Sequence, residues 1–226
     1  MVKIGTRGAF GVVVDGVEKI GYCQYDTYPE GHGVENLQWI RSIIERGFEN
    51  DARQLALDAK LVDDTVVAEK EDIEKLSAFT NLSVSKQSTD DWYCLTRDTH
   101  GQIRLMLDCG YILDSSNFPY DSLFCEWAYI IDFDKRQFEV YKGFQKDASK
   151  IVGRFSHGSI SDEDGYAPVT LIAVYSFDDL PSDDDFLLDT AGPECSDCTY
   201  RRTADESTLN EDGTYTCQYC IDDWYC

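Results

Sequence analysis

The chain has 226 residues, enough for one large domain or for a domain with a small module. It carries 43 acidic against 20 basic residues, a formal charge of −23, and 42% hydrophobic residues. This balance excludes a chain that is disordered throughout and disfavours direct binding to nucleic acid, which takes a basic patch. No run of about eighteen apolar residues occurs, so no membrane span is expected. The start, Met1-Val2-Lys3-Ile4-Gly5, has no signal-peptide character, and a cytoplasmic location is expected. In that reducing compartment the nine cysteines are expected as free thiols or metal ligands, not as a disulfide framework.

The first element predicted is a β-hairpin. Ala9–Val14 and Ile20–Tyr25 flank Asp15-Gly16, a dipeptide suited to a tight turn. Gly8 and Gly11 point to close backbone approach. A polar loop, Asp26-Thr-Tyr-Pro-Glu-Gly-His-Gly33, follows. Val34, Leu37, Ile40, Ile44 and Phe48 recur at helical spacing and predict an amphipathic helix ending near Gly47. Ala52, Leu55, Ala56 and Ala59 predict a second helix, and a third is expected over Glu71–Ala78.

The middle of the chain returns to strands. Ile103–Leu107 reads as a short strand. Trp127–Phe133 and Gln137–Tyr141 read as a second hairpin around Asp134-Lys-Arg136. The first arm of that hairpin is apolar on both faces, as an interior strand would be. Val169–Phe177 is a further strand. Two hairpins with intervening helices give a layered α+β body over residues 1–177. The stretch from Asp178, with Pro181 and three consecutive aspartates, reads as an acidic linker over residues 178–194.

Residues 195–226 form the most specific feature. Cys195-Ser-Asp-Cys198 and Cys217-Gln-Tyr-Cys220 are two CxxC pairs eighteen residues apart. Each pair offers thiolates i and i+3 from a tight turn, and together they complete a tetrahedral sulfur shell for Zn²⁺. A zinc-ribbon-like module held by Cys195, Cys198, Cys217 and Cys220 is expected, with Cys226 as a possible substitute ligand. A closed four-sulfur shell leaves no open coordination position, so such a metal holds a fold together. Around it the charge is lopsided: residues 161–226 contain 17 acids and 2 bases. Such a surface solubilises the chain, steers a basic partner, or imitates DNA towards a nucleic-acid-binding protein.

The wording Thr6-Arg-Gly-Ala-Phe-Gly11, Asp15-Gly16, Asp26-Thr-Tyr-Pro29 with Gly31 and Gly33, and Ser122-Leu-Phe-Cys-Glu-Trp-Ala-Tyr129 resembles an uncharacterised family associated with bacteriophages and prophage-bearing bacteria. The likeness covers about the first forty residues and the middle strand segment. It implies a biological context and no catalytic residues. The opening hairpin also resembles that of N-terminal-nucleophile hydrolases, in which Thr6 would be the nucleophile with Arg7 and Asp26 in support.

Against catalysis stands the absence of any phosphate-cradling glycine loop, HExxH or nucleophile elbow. Cys125 paired with His32, His100 or His157 is a thiol–imidazole alternative, set against a buried cysteine that merely packs. The expectation is a non-enzymatic binding protein, an acidic inhibitor or sequestering factor for a basic or nucleic-acid-binding host protein. The loop residues Asp26, Tyr28 and His32 are its candidate small-ligand or partner site. The alternatives are an amide hydrolase, active or degenerate, and a small-ligand binder.

Overall fold

The computed structural model describes residues 5–157, 165–203 and 206–222. It divides into two compact units, residues 1–180 and 181–226.

The first unit opens with the expected hairpin, β1 (Gly8–Val14) against β2 (Val17–Cys23). Asp15 and Gly16 both take positive φ, 50° and 74°, the turn geometry that suits the twist of the two arms. The glycines are sterically required. A Cβ on Gly8 would lie 2.4 Å from the Trp127 carbonyl oxygen, and one on Gly11 would lie 2.8 Å from that of Lys19. The polar loop leads into a π-helical turn, Pro29–Gly33, and then α1 (Val34–Glu45), which buries Leu37, Ile40 and Ile43. Next come α2 (Glu49–Asp58), the short β3 (Lys60–Val62) and α3 (Lys70–Leu76).

A one-turn helix, α4 (Trp92–Leu95), is capped by the Asp91 carboxylate, which accepts from the Tyr93 N–H at 3.0 Å. A 3₁₀ turn, Arg97–Thr99, follows. The predicted strand at Ile103–Leu107 is instead a helix, α5 (Ile103–Cys109). A five-residue apolar run does not distinguish the two states, and here tertiary contacts decide. The Ile103 N–H is capped at 2.9 Å by the Asn36 side chain of α1, and Gly110 closes the other end in the left-handed conformation, φ 73°.

After β4 (Tyr111–Leu113) comes the second expected hairpin, β5 (Trp127–Asp132) with β6 (Gln137–Lys142), and then β7 (Thr170–Ser176). The main sheet has the order β2-β1-β5-β6-β7. Its one parallel pairing, β1 with β5, joins the two hairpins and makes β5 the central strand, with Ala128 to Asp132 all buried. β3 and β4 form a separate parallel pair.

On the face that carries Phe10, Lys19, Gly21 and Tyr129 lies the helical layer. Lys19 donates from its ammonium to the carbonyls of Ala56, Leu57 and Ala59 at 2.7, 2.8 and 2.6 Å, closing the C-terminal end of α2. The opposite face packs Ala9, Val13, Ile20, Ala128, Ile130 and Tyr141 against Cys125, Phe155 and Val169. Beside that apolar cluster Arg154 binds three carboxylates: Glu18 at 2.7 Å, Asp132 at 2.9 Å and Glu139 at 2.8 Å.

The second unit begins with a correction. The stretch expected as a linker contains a nine-residue helix, α6 (Asp183–Ala191). Ser182 caps it, accepting from the Asp185 N–H at 3.2 Å and donating to the Asp185 carboxylate at 2.7 Å. The three aspartates therefore occupy the first turn, where negative charge favours a helix. A small hairpin, β8 (Ser207–Leu209) with β9 (Tyr215–Cys217), and the single turn α7 (Gln218–Ile221) complete the unit. Among the described residues no helix is long and apolar enough to cross a membrane.

Candidate functional site

The two cysteine pairs converge in the second unit. Cys195 and Cys198 sit on a turn that ends at Thr199, whose φ is 62°, with the Thr199 N–H bonded to the Cys195 carbonyl at 2.9 Å. Cys217 ends β9, and Cys220 lies one turn into α7. A bridge between Cys195 and Tyr215 draws the knuckles together. The four sulfurs lie within 4.8 Å of one another, with Cys195–Cys220 and Cys198–Cys217 both at 3.8 Å.

Those distances discriminate between two chemistries. A disulfide needs about 2.05 Å between sulfurs. A tetrahedron with metal–sulfur bonds of about 2.3 Å has edges of about 3.8 Å, the spacing of the Cys195–Cys220 and Cys198–Cys217 pairs. Burial pushes the Cys195 thiol up, but N–H groups of Cys217, Cys198 and Asp197 outweigh it and bring the group down to about 6. Cys195, Cys217 and Cys220 form a buried cluster with Cys198 packed against them, and Phe186 of the same unit is also fully buried. The four residues can hold a metal ion. Cys226 lies outside the described residues.

The loop candidates Asp26, Tyr28 and His32 also come together. The Tyr28 hydroxyl donates to the Asp26 carboxylate at 3.4 Å, and the His32 N–H donates to the Asp26 carbonyl at 3.0 Å. Asp26 has φ 57°, unusual for a residue other than glycine. Tyr28 is exposed and His32 is buried. The His32 Nδ1 sits 2.7 Å from the Glu35 carboxylate.

Around this loop the structure assembles residues that no spacing in the sequence connects. The Arg97 guanidinium lies 4.6 Å from the Tyr25 ring and 5.7 Å from the Tyr93 ring. His100 meets Tyr93 edge-on at 5.0 Å, and Tyr25 meets His32 at 6.3 Å. Gly101, with φ 90°, forms the floor: a Cβ there would lie 2.4 Å from His32 Nε2 and 3.0 Å from Cys23 Sγ. His32 thus stands between Glu35 and the neighbourhood of Cys23, an arrangement reminiscent of a nucleophile, base and orienting acid. Cys23 argues against that chemistry. It is fully buried, its thiol donates to the Tyr25 carbonyl at 3.1 Å, and burial pushes it up to about 11.

The other catalytic candidates fare no better. Cys125 is fully buried in the apolar cluster on the sheet face away from His32, and burial raises its thiol far above the ordinary range. The Thr6 carbonyl accepts from the Thr27 N–H and hydroxyl, a structural role, and the Arg7 guanidinium stacks over Phe124 at 5.1 Å.

Compared with known proteins, the chain matches no family, no curated protein and no solved structure.

Proposed function

We propose that this chain is a non-enzymatic binding protein whose C-terminal module is held by one Zn²⁺ on Cys195, Cys198, Cys217 and Cys220 and presents an acidic surface to a basic partner. The carrying observation is the four-sulfur cluster, whose atoms all lie within 4.8 Å with two pairs at 3.8 Å, a spacing that suits a closed tetrahedral shell. Such a shell leaves no position for substrate, so the metal's work is architectural. Zinc is the metal chosen because all-thiolate tetrahedral sites favour it in structural modules.

The partner follows from charge. The surplus of carboxylates after residue 160 attracts a cationic surface and repels nucleic acid itself. The phage context suggested by the motifs of the first forty residues and of Ser122–Tyr129 makes a host protein the proposed partner, with a nucleic-acid-binding factor as the class whose groove such carboxylates fit.

The test has two parts. Metal analysis of freshly purified protein is expected to give one zinc per chain, and less than about half an equivalent overturns the module. Capture from host lysate at low and high salt, read by mass spectrometry, is expected to return a basic protein that is lost as the screening length falls from about 10 Å at 0.1 M to about 3 Å at 1 M. A partner retained at high salt overturns the electrostatic reading.

A further inference from the structure

Arg97 poses a physical problem that the metal module does not touch. The residue is 8% exposed, and its Nε and Nη1 are buried without a hydrogen-bond partner. The two tyrosine rings compensate a guanidinium through its faces, but the N–H groups lie in its plane and need acceptors. The acids of the same neighbourhood are engaged elsewhere. Asp26 takes the Tyr28 hydroxyl, Glu35 takes His32, and Asp98 takes the Asn81 amide. Two imidazole nitrogens are also buried and unpartnered: His100 Nδ1, on a ring that feels the Arg97 charge, and His32 Nε2, on a ring that shares Tyr25 with Arg97.

The hydrogen-bond chain fixes what His100 lacks. The Thr96 hydroxyl donates to the Trp92 carbonyl at 2.8 Å, so it can only accept from His100 Nε2 at 3.2 Å. The proton of His100 is therefore on Nε2, and Nδ1 presents a bare lone pair. Burial, reinforced by Arg97, brings the ring down to about 3, which keeps it neutral. His32 likewise directs Nδ1 to Glu35 and leaves Nε2 over. A guest that satisfies this neighbourhood must bring negative charge and acceptors to Arg97 and a proton to an imidazole.

From these unpartnered groups we propose that Arg97, His32 and His100, beneath Tyr25, form a binding site for a protonated phosphate group, as hydrogen phosphate or as the phosphate of a small monoester. Hydrogen phosphate keeps an O–H at neutral pH and a monoester keeps one below its second pKa of about 6, whereas a carboxylate or sulfate has lost it. The fork of Arg97 matches two phosphate oxygens. Tyr25, which is 40% exposed and precedes the strained Asp26, is the side chain that swings aside to admit it.

The experiment titrates the full chain at about pH 6, where the monoester is still partly protonated, with inorganic phosphate, phenyl phosphate, sulfate and acetate, following the imidazole and 97–101 amide signals by NMR. Saturable shifts with phosphate or phenyl phosphate, at a Kd of about 1 mM or tighter, are the expected result. Phosphate alone saturating assigns free phosphate; phenyl phosphate binding more tightly assigns a monoester. Sulfate and acetate are expected to bind at least about tenfold more weakly. Arg97→Lys, which keeps the charge and loses the fork, is expected to weaken phosphate about tenfold. No saturation by either phosphate, equal binding of sulfate, or binding unchanged in Arg97→Lys overturns the proposal. The four-anion comparison uses the unaltered chain, so it decides the matter even where the Arg97 variant does not fold.

Discussion

Asp91 shows how one side chain organises a stretch poor in regular structure. Its carboxylate accepts from the Ser85 hydroxyl at 2.6 Å and from the N–H groups of Lys86 and Tyr93 at 3.3 and 3.0 Å. Burial pushes the group up, but these three bonds outweigh it and hold the carboxyl below its ordinary value. A depressed carboxyl stabilises the fold above its unfolded value, near about 3.9, and loses that contribution as pH falls through the folded value. Asp91→Ala is therefore expected to cost about 1–2 kcal/mol at pH 7. Urea midpoints should show the gap between variant and parent closing as the pH is lowered below about 4. Arg154 is a larger case. Asp132 and Glu139 are 2% and 6% exposed at their side chains, and both rely on this guanidinium. Arg154→Met leaves Glu139 buried without its countercharge and Asp132 with Lys135 alone, at 3.4 Å, and denaturant unfolding is expected to show a loss of about 3–5 kcal/mol.

At the scale of elements, helix ends carry the argument. Among the described residues, α2 has no basic residue in its last turn, and its closing carbonyls are met by Lys19 from the neighbouring strand. Lys19→Met keeps the stem and removes three charged hydrogen bonds. It is expected to cost about 2–3 kcal/mol, and hydrogen exchange should localise the loosening to Leu55–Ala59. α6 behaves oppositely, because its first turn is charged by Asp183, Asp184 and Asp185. Replacing all three with Asn removes the favourable interaction with the helix dipole and takes the charge from the bond that residue 185 accepts from Ser182. A loss of about 1–2 kcal/mol is expected, weaker in high salt. These aspartates are thus part of a folded element, and a test of the acidic surface is cleaner at Glu211, an exposed turn residue outside both cysteine knuckles.

For the molecule as a whole, the two units differ in what holds them. Residues 1–180 contain a five-stranded sheet with apolar packing on both faces, whereas residues 181–226 centre on four cysteines. Removing the metal should therefore separate their stabilities. With a strong chelator, amides around Cys195–Tyr200 and Ser207–Ile221 are expected to lose protection while β1, β5 and β6 keep theirs. Simultaneous loss in both units would show that the metal's contribution extends to the whole chain.

What the sequence settled by itself was local. A two-residue turn, an i,i+3 cysteine pair and an alternating strand are written within a few residues, so both hairpins, the first helix and the sulfur quartet were legible. The cap of α6 was equally local, since Ser182 and Asp185 are three residues apart, but the acid run drew it into the reading of a linker. The tertiary structure decided whatever depends on distant partners. The parallel register of β1 on β5 pairs Gly8 with Trp127, and no short-range signal encodes it. Ile103–Leu107 became a helix because Asn36, 67 residues earlier, caps its first N–H. Arg97, His32 and His100 gained meaning only once folding had buried them together without enough partners, because an unmet hydrogen bond belongs to the packed state and has no counterpart in residue order.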